Sequence, residues 1–319
     1  MDFTDQLKEA KPNVSASTIK TYNTILKTIY KKVFGPVSEA EPDIQKFKDA
    51  EKIFEYIKDA PLQTQKTKLS AIMALAPVPA YRNRIYEIQT ELSKQTEKSE
   101  MTEKLEIAEI TPEEMKAVVK SVKKNADAIN RKTELTMKDL QDIQNYIIVS
   151  LYHGYIPPRR AIDFTEMVLI PTDKTAENYI DLKKSKFVFN QYKTASVYGT
   201  QEVAIPPALK RILKKWVALI PDDVNHLLFN SKREQLSNVS LNQRLNEIFG
   251  ANKGVNSLRH YYLTQNHADT IRGEDKLTAD MVAMGSNINQ AKTYIKVNPS
   301  ERQKQMKEEE KKFLERYGL

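Results

Sequence analysis

The chain reads as a mainly α protein: a helical N-terminal unit, then a second helical unit that carries a small antiparallel β-sheet. Three observations predict this. Glycine is scarce, with 8 residues among 319. Apolar residues recur at three- and four-residue spacing along most of the chain. One stretch, 178–205, breaks that rhythm and alternates instead. A hydrophobic content of 40% suffices for two cores of ordinary size.

Residues 15–34 form the first helix in this reading. Ser15 or Ser17 can cap it, and Ile19, Tyr22, Ile25, Leu26, Ile29, Tyr30 and Val33 make one apolar stripe. Gly35-Pro36 ends it. Further helices are predicted at about 43–59, 62–75 and 79–95, so that 1–95 closes as one unit. The charged stretch 96–110 reads as a linker, since it is poor in large apolar residues. Thr111-Pro112-Glu113-Glu114 then supplies a cap, a first-turn proline and a capping-box glutamate. An apolar helix follows at about 137–153, with Ile147, Ile148, Val149 and Leu151. In 178–205, Tyr179, Ile180, Leu182, Phe187, Val188, Phe189, Val203 and Ile205, with a turn signal at Tyr198-Gly199, predict the sheet. Helices resume at about 207–219, 238–249, 254–267 and 276–284. After Asn298-Pro299, residues 300–317 read as a charged helix with a thin apolar face of Met306, Phe313, Leu314 and Tyr317.

The formal net charge of +8 favours an acidic partner, of which nucleic acid is the commonest. The absence of cysteine excludes disulfides, Cys-ligated zinc and thiol catalysis. No apolar run approaches the roughly 20 residues that span a membrane. The polar N-terminus carries no signal-peptide pattern, so an intracellular protein is expected.

Four separated segments carry candidate chemistry. The first is Gly154-Tyr155-Ile156-Pro157-Pro158-Arg159-Arg160-Ala161-Ile162-Asp163, in which an arginine follows an apolar helix and an acid lies three residues later. The second is Gln191-Tyr192-Lys193-Thr194, within the β-segment, with Lys186 as an alternative lysine. A lone strand lysine is normally just solvated, so this segment carries weight only beside the others. The third is Val255-Asn256-Ser257-Leu258-Arg259-His260-Tyr261-Tyr262. The fourth is Met284-Gly285-Ser286, followed by Tyr294.

In order and spacing these segments resemble the tyrosine recombinases, or phage integrase family, over roughly residues 145–300. The Pro-Pro prefix of the first box is similar to members borne by eukaryotic viruses and transposons. The resemblance implies a helical core DNA-binding domain at 1–95, a catalytic domain at 111–299 and a C-terminal tail at 300–319. It also implies a catalytic set of Arg160, Lys193, Arg259 and the nucleophile Tyr294. Asn256 stands where the family has histidine in the third box, and His260 is a candidate substitute or a packing residue. Ser286 stands where the family has His or Trp. The general base is not identified by these residues.

The implied reaction breaks a phosphodiester by phenolate attack, stores it as a 3′-phosphotyrosine, and returns it to a 5′-hydroxyl. Two guanidiniums match the charge gathering on the non-bridging oxygens, and a lysine can protonate the leaving oxygen. No cofactor or metal is called for. Double-stranded DNA is the expected partner, met by Lys20, Lys27, Lys31, Lys66, Lys68 and Arg159. A tetramer on two DNA sites is what the resemblance implies, and the thin apolar face of the tail fits weak assembly, so the free protein is expected to be largely monomeric. A type IB-like topoisomerase and a catalytically impaired DNA-binding relative remain the alternatives.

Overall fold

The computed structural model describes residues 2–35, 42–97 and 106–283. Met284, Gly285, Ser286, Tyr294 and the charged tail with Met306, Phe313, Leu314 and Tyr317 lie outside the described residues. The chain divides into two compact units, Met1–Met101 and Thr102–Leu319. It is mainly helical with one three-stranded antiparallel sheet.

In the first unit, α1 (Thr4–Ala10) precedes α2 (Ala16–Ile29). The Ser15 hydroxyl caps α2, accepting from the Thr18 amide at 3.3 Å. The predicted helix 15–34 therefore ends early as an α-helix. Its last turn, Tyr30–Phe34, widens to π geometry before Gly35, whose φ is 88°. The widening turns Tyr30 and Phe34 onto Phe47 (5.8 and 6.0 Å between centroids), and Phe3 closes the group from α1. The predicted helix 43–59 is likewise divided. A 3-10 turn, Ile44–Lys48, leads to α3 (Ala50–Ile57), because the Asp49 carboxylate caps the second piece by accepting from the Lys52 amide. Next come α4 (Leu62–Leu75) and α5 (Pro79–Glu97). The buried Tyr81 hydroxyl donates to the Phe47 carbonyl at 2.6 Å.

The second unit begins with α6 (Pro112–Ile129), capped by Thr111. It continues with α7 (Met137–Tyr152), which has a full capping box between Thr136 and Asp139. Lys132 donates to Asp139 at 2.6 Å, and this bond with the Thr136 groups holds the carboxyl down at about 2. A depressed carboxyl contributes stability that is present above the ordinary value near 4 and is lost as pH falls through its folded value. The melting temperature of Asp139→Asn should therefore lie below wild type by a constant gap at pH 5 and above. That gap should narrow below pH 4 and close near pH 2. A gap independent of pH in thermal melts would assign the loss to shape rather than charge.

The buried Gln144 side chain bonds both backbone groups of Phe229, at 3.0 and 2.9 Å, so α7 pins the 227–236 segment. Trp216 stacks on Phe229 (5.6 Å, 8°) and donates its indole N–H to the Leu227 carbonyl. The sheet runs β1 (Tyr179–Asp181), β2 (Lys186–Phe189), β3 (Gln201–Ala204), with Ile180 opposite Phe187 and Phe187 opposite Val203. Between Phe164 and the sheet, Phe187 and Phe189 pack edge-on at 5.7 and 5.8 Å.

Two expectations are corrected here. Tyr198-Gly199 is not a hairpin turn. Residues Ala195–Tyr198 form a helical turn (α9, after the short α8 at Ala161–Thr165), which Gly199 ends at a φ of 64°. The predicted helices 254–267 and 276–284 are one helix, α12 (Val255–Ala283), which runs through Gly273. It follows α10 (Pro207–Val217) and α11 (Asn238–Phe249).

Candidate active site

The end of α7 sets the site in motion. Gly154, at a φ of 126°, reverses the chain after the helix. Pro157 and Pro158 then hold it extended, and Arg160 caps α8 with ψ 156°. Asp163, in the first turn of that helix, is 2% exposed. Its Oδ2 accepts from Arg159 Nε at 2.7 Å. Its Oδ1 is buried and has no hydrogen-bond partner among the described residues. Burial pushes this carboxyl up, and the charges of Arg159, Arg160 and Arg259 oppose the shift. Beside it, the buried Tyr152 hydroxyl also has no hydrogen-bond partner among the described residues, and burial holds its proton tightly. Asp163 reinforces that effect and Arg259 works against it.

The structure thus brings the first and third boxes together. Arg160 and Arg259 both act electrostatically on one buried carboxyl. Both are half-buried, and neither has a hydrogen bond to another described residue. Arg159 is committed to protein partners: Asp163, the Gln201 side chain at 2.8 Å, and the rings of Phe189 and Tyr192.

Lys193 lies between β2 and β3, exposed. The alternative, Lys186, is ion-paired with Glu202 across the sheet, which raises its own affinity for its proton. Asn178 ties the Lys193 segment to the arginine box. Its Oδ1 accepts from the Asn190 and Gln191 amides at 2.8 Å each, and its Nδ2 donates to the carbonyls of Gln191 (2.7 Å) and Asp163 (3.4 Å). His260 is exposed, about 100° round the helix from Arg259, and no described contact joins it to Asp163. Asn256 is exposed one turn earlier.

Sequence reading missed the groups that hold these side chains. Gln201 and Asn178 sit on strands or their ends with no local signal, and only a distant partner gives them a role. Lys253, just before α12, forms a two-oxygen ion pair with Glu114 at 2.6 and 2.7 Å, where a capping-box glutamate was expected to turn back on its own helix. Asn242 accepts from the Val255 amide at 3.0 Å and so fastens the start of the Arg259 helix to α11. A Cβ on Gly254 would stand 2.4 Å from that same Asn242 Oδ1. Gly254→Ala should therefore cost about 1 kcal/mol of stability, as loss of a capping bond does. Because the clash acts through Asn242, adding Asn242→Ala should cost little more. Denaturant melts of the two single variants and the double variant check this; strictly additive losses count against it.

In the N-terminal unit, Lys20 and Lys31 are exposed; Lys20 shares one stripe of α2 with Thr24 and Lys27, and Lys31 lies in the π turn that follows. Lys27 is paired with Asp2 at 2.9 Å, Lys66 with the Gln89 amide, and Lys68 stands 4.7 Å over the Tyr56 ring. Among the described residues no acidic, histidine or cysteine cluster could hold a metal. No described helix is long and apolar enough to cross a membrane.

No family model and no curated protein matches the chain. Solved structures do. The XerA recombinase is similar over 82% of this chain and 83% of its own, at 13% identity and a TM-score of 0.35. The XerH site-specific recombinase, in a pre-cleavage complex with its difH substrate, is similar over 95% of this chain and 83% of its own, at 15% identity and 0.44. Its post-cleavage complex with palindromic difH gives 83%, 74%, 15% and 0.44. These are likenesses of fold between this chain and recombinases.

Proposed function

We propose that the protein is a tyrosine site-specific recombinase that cleaves and rejoins duplex DNA through a 3′-phosphotyrosine at Tyr294, to integrate or excise a mobile or viral genome. The observation that carries the reading is that the half-buried Arg160 and Arg259, from boxes far apart in sequence, both act electrostatically on the buried Asp163. Such a pair of half-buried guanidiniums suits the two non-bridging oxygens of a phosphodiester.

In this reading the Tyr294 oxygen attacks phosphorus and forms the new P–O bond. The bond to the 5′-oxygen breaks, and Lys193 delivers a proton to it. Arg160 and Arg259 hold the oxygens whose charge grows in between. The reverse step uses a 5′-hydroxyl from a partner strand. Residues 1–95 serve as the core DNA-binding domain, 96–110 as linker and 111–299 as catalytic domain. Lys20 and Lys31 meet phosphates. The protein acts inside a cell, with DNA, as a tetramer on two sites that the apolar face of the tail helps to assemble.

The test is a duplex nicked beside the cleavage point, so that the freed fragment diffuses away and the covalent adduct accumulates on a denaturing gel. Substrate is found by selection from genomic DNA flanking the gene. An adduct supports the reading; binding without an adduct marks an impaired relative. Relaxation of plasmids that lack a target site marks a topoisomerase.

A further inference from the structure

The guanidinium of Arg159 is gripped on every side. Nε donates to Asp163 at 2.7 Å and Nη1 to Gln201 at 2.8 Å. The flat cation stands 3.9 Å from the centroid of Phe189 and 4.9 Å from that of Tyr192. Its side chain is 16% exposed. These partners share a pattern. Phe189 is the last residue of β2, Gln201 is the first of β3, and Tyr192 immediately precedes Lys193. Arg159 therefore holds the residues flanking the excursion 190–200 on both sides, and Tyr192 near its start. It fixes them to the same carboxyl on which the charges of Arg160 and Arg259 act.

The excursion also has internal ties: the Tyr192 hydroxyl donates to the Gly199 carbonyl at 2.7 Å, and Thr200 bonds the Asn190 side chain at 2.8 Å. These tie its two arms to each other. With Asn178, Arg159 sets where the excursion stands. Only arginine can do this in one plane, because it offers two faces for rings and a rigid fork for a carboxylate and an amide.

We propose that Arg159 is a positioning residue rather than a phosphate ligand: it locks the Lys193 segment in register with the Arg160–Arg259 pair through Asp163. The role of Lys193 in this statement rests on the recombinase reading; the lock itself does not.

The first experiment needs no activity. Amide hydrogen exchange of the full chain should quicken across 190–200 in Arg159→Met, with Met137–Tyr152 unchanged. Should that variant fail to fold, Gln201→Leu removes one tie without exposing Asp163 and should quicken the same segment. Unchanged exchange there overturns the lock.

The second experiment uses the nicked duplex with a 5′-bridging sulfur, a leaving group that needs no proton. On the ordinary oxygen substrate, Lys193→Ala and Arg159→Met should both slow cleavage by about 10²-fold or more, the range of a lost general acid. Sulfur should restore both and should not restore Arg160→Lys. Rescue of Lys193→Ala without rescue of Arg159→Met overturns the positioning role. If wild type forms no adduct, or sulfur fails to rescue Lys193→Ala, the recombinase reading of Lys193 falls, and the exchange result alone decides the lock.

Discussion

Tyr294→Phe should bind DNA as wild type does and form no covalent adduct. The substitution removes one oxygen and keeps the ring, so whatever packing Tyr294 makes survives. Cleavage has no fallback, because water attack at the same phosphorus leaves no protein–DNA bond to detect. The loss should therefore be complete on a gel that resolves about a thousandth of the wild-type signal, consistent with a nucleophile rather than a contributor. The chain has 15 tyrosines, and several lie near the arginine box, so the assignment is a sharp one. Tyr152 is buried with its proton held tightly, and Tyr155 is pushed the same way by burial. Neither suits attack on a phosphodiester. An adduct formed by Tyr294→Phe at the wild-type level would move the nucleophile to another tyrosine. Peptide mapping of the adduct would find which.

Arg160→Lys should lower the rate of adduct formation by about 10²- to 10³-fold, the range for losing one preorganised donor to a developing oxyanion. Charge is conserved, so DNA affinity and its salt dependence should change little. What is lost is the planar fork, which a single ammonium on a flexible stem does not replace. Arg259→Lys should behave alike, since its charge acts on the same carboxyl. The neighbouring change, Arg159→Lys, offers a direct contrast. Its loss should respond to the leaving group, and that of Arg160→Lys should not. A benign Arg160→Lys beside an inactive Arg159→Lys that sulfur does not rescue would put the phosphate ligand one residue earlier.

The helices whose caps are written in adjacent residues were legible in the sequence. Thr111 and Thr136 each bond an amide three residues on, where a local rule places them. The sheet was legible from the aromatic and β-branched residues around Phe187, Val188 and Phe189, although those three form an unbroken buried run rather than an alternating one. The join at Gly273 was not. An interior glycine costs a helix only about 1 kcal/mol, less than the neighbouring turns return, so composition alone put a break where there is none. The turn at Tyr198-Gly199 misled for the opposite reason: Gly199 does adopt a positive φ, but as the stop of a helical turn. At the arginine box, the sequence shows two identical neighbours. Which one is spent on Asp163 and which is left open depends on Gln201, Phe189 and Tyr192, and no local pattern encodes such a meeting.

The unbroken α12 also imposes a limit of length. At about 1.5 Å per residue, the axis carries the chain roughly 36 Å from Arg259 to Ala283. The eleven residues from there to Tyr294 reach about 40 Å at most, when drawn out straight. A tyrosine that must return to its own Arg259 would spend nearly all of that tether on the journey back, with little left for a helix or a turn. On the recombinase reading proposed above, an unbroken α12 is thus close to incompatible with cleavage by a chain's own tyrosine. That reading then calls for a bend in α12 or for a nucleophile supplied by a neighbouring copy.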